Sequence, residues 1–585
     1  MPDYQLSFKP TTRGFGEHDP SAVLFKDGEL VFGIEEERLS RNKHAVNEFP
    51  IQSIRECLSS EDIGLSDVDE ILLPYRPELT SKLIYNNISQ SLRNPSVLLD
   101  TNESNPEQKG SISLLGKNLN TVILAKRGKL VNTVRYRLKQ EFDGECPPID
   151  TIEHHLCHAA SAFHPADFSE ALILTIDGRG EYDSTVVWKG SKNGLKRIQT
   201  YAHPNSLGHF YGIITEYLGY RAFNGEGKVM GLAPYGEENP EIENKLRDMI
   251  ETGSDYDVTK LTAGGIDSGV QRLESLFGRP QNDQRGEFDK WHQDLAFTAQ
   301  KLLEETVVDI VRQYASVGSG NIGISGGVAL NCKMNKRVMD MDEVNNVFVQ
   351  PVAHDGGLAV GAGMVGQKPT EVPEMIHAYW GSEFNSSNIG PILENNKIEY
   401  ETVDDLESTI AEYIANGKLI GWFQGPLEMG PRALGNRSIL ADPRTEESRD
   451  RVNKFVKHRE EWRPFAPSML EEAAEEYLVN AEPSPYMIKT FEVKSDKRDE
   501  LAAVLHPGDN TTRPQTVREN QNPKYYRLIE EFERLTGTPV VLNTSFNDHG
   551  EPVVRTPVEA LKDFYGMGLD ILVLDDMIVK KEYVE

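Results

Sequence analysis

Cysteine is scarce in this chain, which has four in 585 residues, and no two of them form a C-x-x-C pair. Neither a disulfide framework nor a structural zinc knuckle is therefore supported. Long apolar runs are missing as well, so no segment is predicted to cross a bilayer. The opening residues 1–9 lack the basic start, apolar run and small-residue cleavage site of a signal peptide. We predict a cytoplasmic protein with no membrane partner.

Positive charge is in deficit. The chain has 62 lysines and arginines against 92 aspartates and glutamates, which gives a formal net charge of -30. Most of such a surface repels phosphate backbones, so we expect no nucleic-acid partner. The Walker A pattern is also missing, which speaks against a P-loop fold. A local basic groove remains compatible with a small anionic ligand.

The length of the chain predicts two to four domains, because ~150 residues per domain is typical. Residues 366–374 contain two prolines and interrupt the hydrophobic pattern, which makes them the best candidate for a domain boundary. We predict an α/β fold with one domain at residues 1–367 and a second at residues 368–585.

Two histidines at helical spacing are the first sign of chemistry. His154 and His158 lie just over one helical turn apart, so they share a face and can present two imidazoles to one metal ion. The hydrophobic strand 171–176 then delivers Asp177 at the head of a glycine turn. Such a mixed nitrogen and oxygen set suits Fe²⁺, Mn²⁺ or Zn²⁺ better than Ca²⁺ or Mg²⁺. The alternative is a histidine-rich helix start whose side chains are satisfied within the protein.

Two stretches of the chain share one construction. The first joins the apolar runs 21–25 and 30–34 through an Asp-Gly turn, which predicts a β-hairpin. The second begins at residue 171 and repeats the pattern of strand, glycine turn, strand and Asn-Gly turn. This duplication and the glycine loop after strand 321–325 favour an actin-like, sugar-kinase-like ATPase core. Backbone amides exposed in that loop can hold phosphate or ribose oxygens.

The C-terminal part of the chain contains a basic stretch, although the chain as a whole is acidic. Residues 425–444 carry three arginines, and residues 454–463 carry two lysines and two arginines. Such groups gathered among glycines and prolines indicate a pocket for a small phosphorylated anion. Charge pairing on a helix surface is the alternative. Ser545 and Asn547 are predicted to follow a buried strand, a frequent binding position, although loop caps are their commonest role.

Motifs along nearly the full chain resemble those of the O-carbamoyltransferases of the NodU/TobZ type, the family that carbamoylates nodulation factors and antibiotics. Several long motifs in the same order carry the resemblance, whereas any one of the short ones would not suffice. They are Gly16-Glu17-His18-Asp19, His154 to His158, Asp177-Gly178, Ser325 to Asn331, His354-Asp355-Gly356-Gly357, Met429 to Ser438 and Asn543 to Asn547.

The resemblance implies an N-terminal ASKHA domain, similar to the TsaD ATPase that makes threonylcarbamoyladenosine on tRNA, and a C-terminal YrdC-like domain. In this family carbamoyl phosphate and ATP give a carbamoyl-adenylate in the YrdC-like domain. The N-terminal domain then passes the carbamoyl group to an acceptor hydroxyl. The implied partners are ATP with Mg²⁺, carbamoyl phosphate and a hydroxylated small molecule, while the acceptor's identity and a homo-oligomer stay open.

Two alternative functions remain. A threonylcarbamoyl transferase acting on tRNA shares both domain types, but the acidic balance and the lack of a basic stripe in the sequence argue against it. A non-catalytic nucleotide-binding regulator would bind ATP without consuming carbamoyl phosphate.

The resemblance also implies roles for individual residues. The metal, usually Fe²⁺, is carried onto His154, His158, Asp177 and Asp355. Neutralisation of carbamoyl phosphate is carried onto Arg432, Lys457, Arg463 and Arg513. Nucleotide or substrate contacts are carried onto Gly178, Ser325, Gly326, Gly327, Asn331, Arg459, Ser545 and Asn547.

The assignments in the second domain and the role of His18 have a further basis. Lys457-His458-Arg459 and Ser545-Phe546-Asn547 resemble the K-x-R and S-x-N signatures of YrdC proteins. His18 is the candidate general base for the acceptor hydroxyl, because a neutral imidazole near pH 7 can take that proton. The alternative for His18 is a capped loop histidine.

Overall fold

A computed structural model describes residues 2–11, 16–80, 127–284, 286–365, 374–460 and 462–581. These residues form a mixed α/β fold with several sheets, so the predicted α/β class is confirmed. The chain divides into two compact units. The first unit comprises Met1–Val31 and Val46–Glu374, and the second comprises Phe32–Ala45 and Met375–Glu585. The segment predicted as a boundary lies outside the described residues except for its last residue.

Two five-stranded sheets make up most of the first unit, although residues 32–35 of one strand are grouped with the second unit. Their strands are β1 (Tyr4–Lys9), β2 (Ser21–Lys26), β3 (Glu29–Glu35), β4 (Glu70–Leu73), β5 (Ile149–Thr151), β6 (Glu170–Ile176), β7 (Asp183–Ser191), β8 (Gly194–Ala202), β9 (Asn321–Ser325) and β10 (Asn346–Val349). The apolar runs predicted as hairpin strands are thus β2 and β3, and the later repeat is β6, β7 and β8.

The two sheets have the same strand order. The first runs β3-β2-β1-β4-β5 and the second β8-β7-β6-β9-β10. The middle strand of each, β1 or β6, is antiparallel to one neighbour and parallel to the other. The two strands that follow are parallel to each other in both sheets. The connection pattern of residues 2–73 and 149–151 is therefore repeated after residue 170.

Some helices of the first unit pack on these sheets and others pack on one another. They are α1 (Ile51–Ser60), α2 (Arg127–Glu141), α3 (His154–Phe163), α4 (Leu207–Tyr217), α5 (Glu226–Leu232), α6 (Pro240–Met249), α7 (Thr259–Thr262), α8 (Ile266–Phe277), α9 (Lys290–Tyr314), α10 (Cys332–Met339) and α11 (Leu358–Val365). Helix α3 buries Ala159 and Phe163 against Ile173 and Trp188 of the second sheet. A Cβ at Gly361 of α11 would lie 1.9 Å from the Cys157 carbonyl oxygen, so only glycine lets α11 pack this closely on α3.

The second unit has one seven-stranded sheet and a two-stranded ribbon. Its strands are β11 (Ile420–Phe423), β12 (Arg437–Ala441), β13 (Ala466–Leu470), β14 (Phe491–Glu492), β15 (Thr511–Thr512), β16 (Gln515–Val517), β17 (Val540–Ser545), β18 (Ile571–Leu574) and β19 (Met577–Lys580). The large sheet has the order β16-β13-β17-β12-β11-β18-β19, and β17 is antiparallel to both of its neighbours.

Helices of the second unit bury a separate core. They are α12 (Ser386–Asn395), α13 (Leu406–Ala415), α14 (Glu446–Val452), α15 (Ala474–Tyr477), α16 (Pro523–Thr536) and α17 (Pro557–Gly566), together with the four-residue helix Glu37–Ser40. Ile410 of α13 and Phe532 of α16 pack in one cluster with Trp422 of the sheet. Across the ranges that the structure describes, no helix has both the length and the apolar character needed to span a bilayer.

Candidate active sites

One edge of the second sheet gathers polar residues in the first unit. Strands β6, β9 and β10 run parallel, so their carboxyl ends meet at this edge. Asp177 follows β6, the Ser325 to Gly327 loop closes β9, and Asp355 lies in the segment after β10. Helix α3 precedes β6 and begins at His154. Residues far apart in the sequence are brought together here by strand order.

Four of these side chains converge on one point. The Nε2 atoms of His154 and His158 lie 3.2 and 3.0 Å from Asp177 Oδ2, and both lie 3.9 Å from Asp355 Oδ1. The donor atoms of all four residues are within 4.8 Å of one another and could hold a metal ion. Two imidazoles and two carboxylates fit the mixed set predicted from the sequence. We call these four residues the His/Asp cluster.

The His/Asp cluster is supported by hydrogen bonds from outside it. His158 Nδ1 is 3.1 Å from the Ser325 hydroxyl, and the backbone N–H of His154 donates to the Glu181 carboxylate at 3.2 Å. When Nδ1–H of His158 donates to Ser325, the lone pair of Nε2 faces Asp177, the orientation that metal ligation requires. Glu181 is a residue that the sequence reasoning missed, although its position after the Asp-Gly-Arg-Gly turn was a usable signal.

His155 does not belong to the cluster. Its Nδ1 is 2.9 Å from the Thr175 hydroxyl and its Nε2 is 3.1 Å from the Asp183 carbonyl oxygen. Burial, with smaller contributions from the charges of His154 and His158, lowers the pKa of His155 to about 3. It is therefore a neutral core histidine beside the two cluster histidines.

The glycine loop after β9 packs closely on the protein and forms hydrogen bonds within it. Gly326 has a φ of +94°, and a Cβ there would lie 2.3 Å from the Ile176 carbonyl oxygen. Its N–H donates to the Ala353 carbonyl at 3.0 Å. The Asn331 side chain accepts from the Met334 N–H at 3.0 Å, capping α10. Nucleotide contacts by this loop stay a prediction, and the Gly326 amide and the Ser325 hydroxyl already have protein partners.

Lys9 links His18 to the His/Asp cluster. The Lys9 ammonium group is fully buried, lies 3.5 Å from Asp355 Oδ2, and donates a hydrogen bond to the His18 carbonyl oxygen. A lysine that ends an apolar strand such as β1 is unusual, and this signal was missed in the sequence. Its charge is balanced by Asp355 rather than by solvent.

His18 itself is 45% exposed and pairs with Asp19, whose Oδ2 lies 2.8 Å from His18 Nδ1. Burial alone would lower the pKa of His18, but the hydrogen bond to Asp19 and the charge of Asp355 raise it above the usual value. A raised pKa makes the imidazole a stronger proton acceptor and leaves more of it protonated at neutral pH. The role of general base stays a prediction.

Lys457 lies at the centre of the second site, in the second unit. It ends a π-helical segment, Asn453–Lys457, and its ammonium group donates to the Ser545 carbonyl oxygen at 2.6 Å. It also donates to the carbonyl oxygen and to Oδ1 of Asn547, at 3.0 and 3.1 Å. The K-x-R and S-x-N stretches are therefore in direct contact. Ser545 is the last residue of β17 rather than the first residue beyond it.

Like charges surround Lys457. Burial lowers its pKa well below the usual value, and the charges of Arg459 and Arg463 lower it further. Burial and the charges of Arg463 and Arg513 likewise lower the pKa of Arg459. The Nε of Arg513 is buried and makes no hydrogen bond within the described ranges. Glu460 pairs with Arg463 at 3.5 Å but is outnumbered by the four cations, here called the cation cluster, which therefore favour an anionic ligand.

The basic stretch of the sequence therefore separates into two groups. Arg444 forms an ion pair with Asp442 at 2.6 Å, in the turn between β12 and α14 rather than on a helix surface. Arg437 is fully buried and donates to backbone carbonyls, including that of Gln424 at 2.7 Å, so it holds the loop rather than a ligand. Arg432 lies on that loop, whose Ala433 carbonyl accepts from the Asn543 side chain of β17 at 3.2 Å.

Fold and sites thus define an α/β protein with one site suited to a metal and another suited to an anion. Comparison with known proteins supplies the family. The family model of the carbamoyltransferase N-terminus matches residues 13–364, and the family model of the carbamoyltransferase C-terminus matches residues 411–581. The chain belongs to the carbamoyltransferase family and is a carbamoyltransferase enzyme, so the family predicted from the motifs is confirmed.

Individual relatives agree with the family. Nodulation protein NolNO of Sinorhizobium fredii is 38% identical over 96% of this chain and 79% of its own length. The 3'-hydroxymethylcephem-O-carbamoyltransferase of Amycolatopsis lactamdurans is 26% identical over 73% of this chain and 79% of its own. Among solved structures, HypF of T. kodakarensis aligns with 64% of this chain and 50% of its own at 14% identity and a TM-score of 0.31, which is too weak to support a conclusion.

Proposed function

We propose that this protein is an ATP-dependent O-carbamoyltransferase whose two sites catalyse successive steps. In the second unit, carbamoyl phosphate and ATP would give a carbamoyl-adenylate. In the first unit, the carbamoyl group would pass to a hydroxyl of a small molecule. The observation that carries the proposal is the contact of Lys457 with Ser545 and Asn547 inside a cluster of cations, in a unit other than that of the His/Asp cluster.

The first step suits the cation cluster. Loss of phosphate from carbamoyl phosphate by addition of water leaves carbamate, and a carbamate oxygen then attacks the α-phosphorus of ATP, so orthophosphate and pyrophosphate are both released. Each species is an anion, and the charges of Lys457, Arg459, Arg463 and Arg513 would bind them and stabilise the departing phosphate. Arg432 would join them from its loop. Mg²⁺ would accompany the ATP.

The second step suits the His/Asp cluster. The acceptor oxygen would attack the carbamoyl carbon, the bond to AMP would break, and the hydroxyl proton would pass to His18. His154, His158, Asp177 and Asp355 would hold Fe²⁺ or another divalent ion, which supplies a Lewis acid for the carbamoyl oxygen. Lys9 would orient this site through its bonds to Asp355 and to the His18 carbonyl. Backbone of the Gly178 and Gly327 loops, beside Asp177, is the proposed nucleotide surface.

The domain assignment belongs to the same proposal. We assign residues 1–367 to an actin-like, TsaD-like domain with duplicated halves, and the shared strand order of the two five-stranded sheets supports this. We assign residues 368–585 to a YrdC-like domain, supported by the contact between its two signature stretches. The grouping of Phe32–Ala45 with the second unit is a feature that neither assignment foresaw.

The proposal is tested by pyrophosphate release. Purified protein with ATP should release pyrophosphate only when carbamoyl phosphate is present, and ¹³C-labelled carbamoyl phosphate should label a hydroxylated small molecule. Parallel reactions with tRNA, threonine and bicarbonate test the threonylcarbamoyl alternative. Labelling of tRNA, or ATP binding without any consumption of carbamoyl phosphate, would contradict the proposed function.

A further inference from the structure

One aromatic side chain in the first unit is both exposed and held in a strained conformation. Phe223 is 51% exposed and has a φ of +64°. A bulky residue rarely adopts this left-handed conformation, because its Cβ crowds the backbone. Such strain is concentrated at ligand sites, where the surrounding structure enforces it.

The turn around Phe223 is fixed by two carboxylates. The Phe223 N–H donates to Glu226 Oε1 at 2.6 Å, and the Ala222 N–H donates to Glu216 Oε2 at 2.7 Å. Glu216 belongs to α4 and Glu226 begins α5, so the turn is anchored to the helices on both sides. The exposed ring is therefore presented by a defined turn.

The ring of Phe223 stands beside the proposed transfer site. It is nearly parallel to the ring of His18, at 17° and a centroid distance of 6.5 Å, and edge-on to His209 at 5.7 Å. A Cβ at Gly178 would lie 3.3 Å from Phe223 and 3.4 Å from His209. Because Gly178 follows Asp177 of the His/Asp cluster, the exposed aromatic face lies close to both the candidate base and the candidate metal ligands.

The two buried imidazoles behind Phe223, those of His209 and His203, carry no charge at neutral pH. His209 and His203 pack edge to face at 5.0 Å. Burial, with a smaller contribution from the charge of Arg179, lowers the pKa of His209 to about 4. Burial and the charge of His209 lower the pKa of His203 as well. The surface behind Phe223 is therefore formed by two uncharged imidazoles, and the positive charge of Arg179 lies close to both of them.

We propose that Phe223 is a specificity-determining residue that binds one face of a saturated, hydroxylated ring of the acceptor, such as a pyranose, and directs a ring hydroxyl toward His18. This inference rests on the proposed function. The face of an aromatic ring is negative and attracts the polarised C–H groups that line one face of such a ring. Ligand sites typically combine an aromatic surface of this kind with a few polar groups that fix orientation. An open-chain polyol offers the same hydroxyls but no preformed face.

The test compares a ring with an open chain. Methyl β-D-glucopyranoside and sorbitol serve as acceptor probes with ¹³C-labelled carbamoyl phosphate and ATP. The native protein should use the glucopyranoside at least about tenfold better in kcat/KM. Phe223→Asn should raise the KM for the glucopyranoside about tenfold, which corresponds to ~1.4 kcal/mol. The rate of pyrophosphate release should not change. Phe223→Tyr, which keeps the ring, should retain the preference.

The choice of variants separates binding from folding. Asparagine tolerates the left-handed conformation, so Phe223→Asn should keep or raise the melting temperature while it loses the preference. Tyr565→Ala removes another aromatic ring, which is 54% exposed and lies in the second unit. It should change neither the melting temperature nor the preference for the glucopyranoside. Saturation-transfer NMR of the glucopyranoside gives a binding readout that needs no turnover, and its signal should fall in Phe223→Asn.

Each opposing outcome has its own meaning. Equal use of the two probes, transfer to neither, or an unchanged NMR signal in Phe223→Asn would overturn the role of Phe223. A change confined to pyrophosphate release would also overturn it, because that release is assigned to the cation cluster and not to binding of the acceptor. If pyrophosphate release by the native protein does not depend on carbamoyl phosphate, that result would instead count against the proposed function. The NMR comparison would still decide whether Phe223 contacts the ring of the acceptor.

Discussion

The two candidate sites differ in how their charges are balanced. In the His/Asp cluster, the imidazoles of His154 and His158 lie next to carboxylates, and the ammonium group of Lys9 lies next to Asp355. In the cation cluster, a lysine and three arginines are gathered together, and their mutual repulsion adds to burial in lowering the pKa values of Lys457 and Arg459. The first site thus offers lone pairs to a cation, and the second offers N–H donors to an anion. The proposed two-step reaction uses both preferences, since it needs a site for anionic substrates and a site for a divalent metal ion.

Loss of Lys457 should have the largest effect. Lys457→Met keeps the length of the side chain but removes the buried charge and its bonds to Ser545 and Asn547. We expect pyrophosphate release that depends on carbamoyl phosphate to fall by about 10³-fold or more, as when a preorganised charge is removed from an active site. Metal content should stay unchanged. A coupled pyrophosphate assay and metal analysis measure the two quantities.

The control for Lys457 lies in the same π-helical segment. Lys454→Met removes an exposed lysine three residues earlier and should leave the rate within about twofold, because surface charges contribute little. Arg432→Ala tests whether the loop before β12 takes part in the same step. A normal rate in Lys457→Met would remove the cation cluster from the mechanism.

Loss of His158 should affect the other site alone. His158→Ala removes one of four donors, so we expect bound metal and carbamoyl transfer to be lost while pyrophosphate release stays within about threefold. Ser325→Ala removes only the group behind His158 and should weaken metal binding by about tenfold, the range seen for residues that orient a ligand. Metal analysis and competition with a chelator measure both. Loss of pyrophosphate release together with metal would show that the two sites do not act separately.

Replacement of His18 should separate adenylate formation from the transfer step that follows it. His18→Ala should allow the adenylate to form and slow transfer by about 10²-fold, the usual contribution of a general base. Single-turnover experiments with labelled carbamoyl phosphate would show the adenylate accumulating. Transfer at the native rate would favour the alternative of a capped loop histidine.

Proton uptake should give the smallest effect. Because the pKa of Lys457 is lowered, part of its population is unprotonated at alkaline pH, and an anion raises that pKa again by favouring the charged form. Binding of inorganic phosphate should therefore take up protons and weaken as pH rises through the lowered pKa. Calorimetry in Hepes and in Tris, whose ionisation enthalpies differ, measures the uptake. Equal enthalpies in both buffers, or the same uptake in Lys457→Met, would contradict the assignment.

Local patterns predicted the local parts of the fold. The hairpin β2–β3, the strands β6 and β9 and the start of α3 at His154 follow from hydrophobic runs, glycine turns and helical spacing, which act between near neighbours. The pairing of His154 with His158 has the same basis. The boundary between the units was harder, because the grouping of Phe32–Ala45 with residues 375–585 depends on contacts that no local pattern records.

The amino-acid sequence by itself determined the histidine spacing, the K-x-R and S-x-N stretches and, through its motifs, the family. Only the tertiary structure decided which charges face each other. Parallel pairing of β6, β9 and β10 brings Asp355 to Asp177, and the end of β17 brings Ser545 to Lys457. It also decided that Arg444 is paired and that Phe223 is exposed beside His18. Strand order sets these contacts, and strand order is a property of the whole chain rather than of any short segment.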